Sequence, residues 1–178
     1  MVKQIAVFGA STTPPDHPDY LAAVRCGSLL AAAGFAVATG GYGGLMEAVS
    51  RGAAESGGHV VGITAPSLFP SRPGANRHVS EERPAPGLAA RIGDLLATSA
   101  GCIALPGSIG TLTELMMAWN DAFIAALDGS PAHPVVAVGP VWAAFVDEIG
   151  VRLQTDAALV TCVPDAEAAV AEIVRRVG

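Results

Sequence analysis

The sequence predicts an α/β fold built on a doubly wound, mainly parallel sheet with helices on both faces. Three observations carry that expectation. Runs such as Ile5-Ala6-Val7-Phe8, Phe35-Ala36-Val37-Ala38 and Val135-Val136-Ala137-Val138 are apolar without alternation, as strands covered on both faces are. Stretches of helical character separate them, so strand and helix alternate along the chain. Turns rich in glycine or serine at 9–12, 40–44 and 107–111 each follow a strand, which sets all three on the carboxyl edge of such a sheet, where ligands bind.

In chain order, residues 5–9 read as a first buried strand and Gly9-Ala10-Ser11-Thr12 as a turn of small residues. After Pro14-Pro15, Asp16 or Asp19 caps a helix that reaches about Ala33 and ends at Gly34. Residues 35–39 make the second strand. Gly40-Gly41-Tyr42-Gly43-Gly44 then opens a helix from Leu45 to about Ser56, stopped by Gly57-Gly58. The third strand is 59–63. The following stretch, 64–87, holds Pro66, Pro70, Pro73, Pro84 and Pro86 and reads as a long loop, a feature that is often functional inside a compact domain. A helix at 88–98, a strand at 102–105 and a long helix at 112–127 follow. A strand at 134–138, a helix at 141–150, a short strand at 158–163 and a helix at 165–177 complete the series. No linker or internal repeat is visible, and residues 1–178 are expected to form one domain.

Composition narrows the function. The chain is 51% hydrophobic and 15% charged, as a compact globular protein is, with a net charge of −6. A nucleic-acid surface normally shows a basic stripe, so no nucleic-acid partner is expected. With basic residues scarce, backbone dipoles must hold any anionic ligand. Cys26, Cys102 and Cys162 are far apart, odd in number and set among apolar residues, so buried free thiols in a reducing compartment are expected. They lack metal-ligand spacing, and His17, His59, His78 and His133 are scattered, so no metal site is expected. The N-terminus enters a strand pattern without a signal-peptide layout, and no apolar run nears the roughly 20 residues of a membrane span. A cytoplasmic protein with no membrane partner is the expectation.

The most informative stretch is Leu105-Pro106-Gly107-Ser108-Ile109-Gly110-Thr111-Leu112-Thr113-Glu114. Gly107 and Gly110 bracket a turn whose N–H groups are clear of any Cβ, and a helix begins near Gly110-Thr111. Strand, glycine turn and helix N-terminus together make a seat for a phosphate. Glu114 falls about one turn into the helix. There a carboxylate is either a residue favoured by the helix dipole or a group with a task beside a bound anion. Arg91, on the preceding helix, is likewise a surface ion-pair partner or a site residue. Gly40-Gly41-Tyr42-Gly43-Gly44 lacks the G-x-G-x-x-G dinucleotide spacing, and no acidic residue closes the second strand. Two glycine turns on one edge nevertheless favour nucleotide or phosphate binding. The long helix carries Met116, Met117 and Trp119 with little polarity, so either the core or a second subunit must cover it.

Pro106-Gly107-Ser108-Ile109-Gly110-Thr111-Leu112-Thr113-Glu114 resembles the P-G-G-x-G-T-x-x-E signature of the Lonely Guy (LOG) family. Its members are cytokinin-activating nucleoside 5′-monophosphate phosphoribohydrolases, often mislabelled lysine decarboxylases. Gly40-Gly41-Tyr42-Gly43-Gly44-Leu45-Met46-Glu47-Ala48-Val49 is similar to the family's first glycine-rich stretch, and Phe8-Gly9-Ala10-Ser11 falls on its small-residue turn. The resemblance runs from residue 3 to about residue 140 in the same order.

That resemblance implies a Rossmann-like fold, a homodimer, a purine nucleoside monophosphate as ligand, and no cofactor or metal. Substrate and phosphate would lie against Gly9, Ser11, Gly40, Gly41, Gly43, Gly44, Met46, Gly107, Ser108, Gly110 and Thr111. Glu114 matches the family's catalytic glutamate, and Arg91 its arginine partner. The implied reaction is water attack at the anomeric carbon, releasing free base and ribose 5-phosphate through an oxocarbenium-like state.

Ser108 stands where the family has glycine, Ile92 where lysine follows the arginine, and 64–87 replaces the usual substrate-side segment, which marks a divergent branch. A serine at 108 is strained if its φ is positive and offers a hydroxyl to the phosphate if it is not. Two function classes follow: a phosphoribohydrolase, or a non-catalytic nucleotide or molybdenum-cofactor carrier on the same scaffold. They differ in what Glu114 does. Lysine decarboxylation is rejected, because that chemistry needs a pyridoxal-phosphate lysine and Lys3 is the only lysine.

Overall fold

The computed structural model describes residues 2–71 and 74–178; Met1, Arg72 and Pro73 lie outside the described residues. The elements are β1 (Gln4–Phe8), α1 (Pro18–Ala32), β2 (Ala36–Thr39), α2 (Leu45–Glu55), β3 (Val60–Thr64), β4 (Glu81–Pro84) and α3 (Leu88–Ala97). They continue with β5 (Cys102–Ala104), α4 (Ile109–Leu127), β6 (Val135–Val138), α5 (Pro140–Leu153), β7 (Val160–Val163) and α6 (Ala166–Val177). Among the described residues one seven-stranded sheet, parallel at every pairing, has the order β4-β3-β2-β1-β5-β6-β7. The chain lays β2, β3 and β4 outward from β1, then crosses back to lay β5, β6 and β7 on the other side. Strand order therefore reverses between β1 and β5, where Phe8 lies level with Ala104. In an open α/β sheet the ligand crevice opens outside the carboxyl ends of those two strands.

Helices cover both faces, as the unalternating strands require. Ile5, Val7, Val37, Ile103 and Val136 pack with α1, α2 and α6, while Ala6, Phe8, Ala38, Ala104 and Ala137 pack with α3, α4 and α5. Both sets are fully or almost fully buried, so cutting back one of the large members costs about 2–5 kcal/mol. Helices α1 and α2 touch backbone to backbone. A Cβ on Gly27 would lie 2.1 Å from the Val49 carbonyl oxygen, and one on Gly52 1.9 Å from that of Val24.

Several boundaries differ from the sequence expectation. The stretch 64–87 is not all loop, because Glu81–Pro84 pairs with β3 as the edge strand β4. Its exposed residues carry no apolar signal. Helix α1 is capped by His17, whose Nδ1 accepts from the Asp19 N–H, and not by Asp16 or Asp19. Helix α4 starts at Ile109, three residues before 112, and α5 runs from Pro140 to Leu153. A 3-10 turn at Ala157–Leu159 takes the first part of the strand expected at 158–163. Cys26 and Cys102 are buried free thiols, but Cys162 is only half-buried. No helix among the described residues is long and apolar enough to cross a membrane.

Candidate functional site

The three turns meet through Ala10. Its N–H donates to the Pro106 carbonyl (3.1 Å) and its carbonyl accepts from the Leu45 N–H (2.8 Å), which ties the β1, β5 and β2 turns together. Gly44 takes φ +66°, and a Cβ there would lie 2.3 Å from the Ala10 oxygen, so both its conformation and the close approach demand glycine.

At this junction lies a cavity of about 240 Å³. From the β1 and β5 turns and the first turns of α4 it receives Gly9, Ser11, Ser108, Gly110, Thr111, Thr113 and Glu114. From the β2 and β3 side come Tyr42, Met46 and Phe69, with Leu88 and Arg91 from α3. Ser108 precedes α4 with φ −111°, ordinary extended backbone, so serine replaces the family glycine without strain. Its side chain makes no capping hydrogen bond. The first N–H groups of an α-helix have no intrahelical acceptor, and here they open beside a serine and two threonine hydroxyls.

Arg91 and Glu114 are both buried, with side-chain exposures of 7% and 10%, and approach at 3.4 Å (Nη1 to Oε1). Arg91 is fixed from several directions. Its Nε donates to the Ile63 carbonyl (2.8 Å), its Nη2 lies 3.8 Å from the Met46 sulfur, and its guanidinium sits 5.8 Å from the centre of the Tyr42 ring. Burial pushes the Glu114 carboxyl up from 4.5 to about 7, and the Arg91 charge opposes that rise without cancelling it. The outcome is a carboxyl poised near neutrality in a cleft, the condition for moving protons at physiological pH.

The structure thus brings together Gly9, Ser11, Met46, Arg91, Ser108, Gly110, Thr111 and Glu114 on one cavity. Gly40, Gly41, Gly43 and Gly44 do not line it. A Cβ on Gly40 would lie 1.6 Å from Arg91 Nη2, and one on Gly41, at φ +76°, 2.8 Å from Thr64 Cγ2. Gly107 faces a more open neighbouring cavity of about 400 Å³, shared with Thr12, Thr13, His17 and Ser108. Tyr42, Phe69, Leu88 and Thr113 also line the main cavity, beyond the residues to which the sequence motifs point. The aromatic inside the glycine turn and the one in the proline-rich stretch were the available signals.

A larger cavity, about 310 Å³, opens between α3 and α4 at the amino edge of the sheet. Its walls are mostly aliphatic, with Cys102, Asp121 and His133 among them, and its His133 is tied to the Ser99 carbonyl (2.7 Å).

Fold and site together define a Rossmann-like α/β protein with a buried arginine–glutamate pair in a cavity beside the N-terminus of α4. The chain matches the SLOG cluster4 family over residues 2–137 and belongs to that family, a branch of the LOG group. It is 32% identical over 143 residues to the cytokinin riboside 5′-monophosphate phosphoribohydrolase of Mycobacterium tuberculosis, covering 79% of this chain and 72% of that protein. It is 34% identical over 115 residues to a probable cytokinin riboside 5′-monophosphate phosphoribohydrolase of rice, covering 64% of this chain and spanning less than half, 46%, of the rice protein. Among solved structures, the molybdenum cofactor binding protein of Rippkaea orientalis superposes with a TM-score of 0.78 at 23% identity, over 100% of this chain and 99% of that one. The molybdenum cofactor carrier protein of Chlamydomonas reinhardtii does so at 0.74 and 23%, over 98% of each. At that identity the likeness is one of fold.

Proposed function

We propose that the chain hydrolyses the N-glycosidic bond of a nucleoside 5′-monophosphate, releasing free base and ribose 5-phosphate. The observation that carries this reading is the buried Arg91–Glu114 pair, facing the same cavity as the N-terminus of α4. The relatives named as phosphoribohydrolases support it. The phosphate sits at Ser11, Ser108, Gly110 and Thr111, where N–H and hydroxyl groups converge and where, among the described residues lining the cavity, Glu114 is the one acidic side chain.

Ionised Glu114 accepts a proton from water as the water oxygen bonds to the anomeric carbon. The carbon–nitrogen bond breaks, its electron pair stays on the base nitrogen, and a proton returns to the base. The carboxylate also faces the oxocarbenium charge that develops on the sugar. Arg91, itself held by the Ile63 carbonyl, fixes the carboxylate and limits the rise of its pKa. General base action of this kind contributes about 10²–10⁴-fold.

The reading includes a homodimer. Helix α4 exposes Ile109, Met117, Ile124 and Leu127, an apolar row for a second copy to cover. Light scattering at micromolar concentration tests this, and a monomer would refute it. The substrate is tested by incubating a panel of nucleoside monophosphates with purified protein and measuring free base and ribose 5-phosphate.

A second reading, a carrier of the molybdenum cofactor, draws support from the open cavity that adjoins the phosphate seat through Ser108. It provides space beside the seat for a ligand larger than a monophosphate. Binding without turnover would favour it.

A further inference from the structure

Phe69 lines the cavity, comes from the proline-rich stretch, and has no part in the proton transfers above. We propose that Phe69 is the platform for a planar base, and that this wall selects the flat face of the base rather than its hydrogen-bonding edge. The proposal rests on the nucleoside monophosphate reading of the same cavity.

The Phe69 and Tyr42 rings meet edge to face, with centroids 5.3 Å apart and planes at 73°, a favourable aromatic arrangement. Tyr42 is held at both ends. Its hydroxyl oxygen accepts from the Ala65 N–H (2.8 Å), and its backbone carbonyl accepts from Asn76 Nδ2 (3.0 Å). The platform therefore stands against a fixed neighbour and costs little ordering when a ligand arrives. Topology separates the two ends of the site: Tyr42 and Phe69 follow β2 and β3, whereas the phosphate seat follows β5 and, at Ser11, β1. A nucleotide whose phosphate is seated at 108–111 points its base toward the aromatic side.

That side consists, among the described residues, of Tyr42, Met46, Phe69, Leu88 and Arg91. None of the five carries a carboxylate or amide with which to read a base edge, and the Arg91 guanidinium is engaged by the Ile63 carbonyl and Glu114. Stacking tolerates any base because each has a π-face, and it is worth about 1–3 kcal/mol per base, or roughly 5- to 150-fold in affinity.

The test is calorimetric titration of AMP, GMP and ribose 5-phosphate into the Glu114→Gln protein, which prevents turnover, with and without Phe69→Ala or Phe69→Leu. Phe69→Ala is expected to weaken AMP and GMP by about tenfold or more and to leave ribose 5-phosphate unchanged, with Phe69→Leu intermediate. AMP and GMP should differ by no more than about threefold in the parent. Equal loss for all three ligands in both variants, no loss for either nucleotide, or a preference for one base above about tenfold would overturn the proposal. Retained ribose 5-phosphate binding shows that the variants fold. If the parent binds none of the three, the monophosphate reading itself fails and takes this proposal with it.

Discussion

Gly40 is the space that Arg91 occupies: a Cβ at residue 40 would lie 1.6 Å from Nη2 and 2.7 Å from Cζ of the guanidinium. The glycine turn after β2 thus serves the site by clearance, letting a buried arginine reach Glu114. Gly40→Ala is expected to displace the guanidinium and lower kcat/KM by at least about tenfold, since small misplacements at reacting groups are costly. Gly87→Ala, four residues before Arg91 with open space around it, is the matched control and is expected to keep activity within about twofold.

The pH dependence follows from Glu114. As a general base it must be ionised, so kcat/KM is expected to fall below about pH 7, where burial has raised the carboxyl. Arg91 lowers that pKa, so Arg91→Ala should move the acid limb to higher pH as well as reduce activity. An acid limb that stays in place in the arginine variant would separate the two residues.

Stability carries the same signature with a defined sign. Because the folded carboxyl titrates near 7 rather than 4.5, its protonated form is favoured by folding; that stability is present below the unfolded value and is lost as pH rises through about 7. Glu114→Gln removes the penalty for a buried charge. It is expected to stabilise the fold at pH 8 by about 1–3 kcal/mol, at 1.36 kcal/mol per pH unit less the loss of Arg91's partner, and by little at pH 4.5. Urea unfolding at the two pH values measures the difference, and a gain independent of pH would contradict it.

Asn76 anchors the β2 turn from outside. Its Nδ2 donates to the Gly41 and Tyr42 carbonyls (3.1 and 3.0 Å), and its Oδ1 accepts from the His78 N–H (3.1 Å). Asn76→Ala removes that donor from the Tyr42 carbonyl, while the Gly41 carbonyl keeps the Asn76 N–H (2.6 Å), and is expected to cost about 1–3 kcal/mol, read as a lower urea midpoint.

Most of the sheet is visible in the sequence because strands buried on both faces must be apolar, as 5–8, 60–63 and 135–138 are. Edge strand β4, Glu81-Glu82-Arg83-Pro84, gives no such sign. It is solvated, and only its pairing with Val61–Thr64 makes it a strand. In the site, the motif ending in Glu114 was apparent from its glycines. Arg91 was ambiguous because spacing does not reveal burial, and the pair exists only through a contact across 23 residues. The role of Gly40 in giving Arg91 room is not legible in the sequence, because clearance for a distant side chain leaves no local mark. Phe69 was hidden in a stretch whose prolines announce irregular backbone but not which side chain turns inward.

The most direct measurement compares wild type with Glu114→Gln in two assays on the same nucleoside monophosphate: product formation and binding. The expected result is free base and ribose 5-phosphate from wild type alone, with the monophosphate bound by both proteins at similar affinity. Product from both proteins would remove Glu114 from the chemistry, and no product from either, with binding retained, would make this fold a carrier rather than a hydrolase.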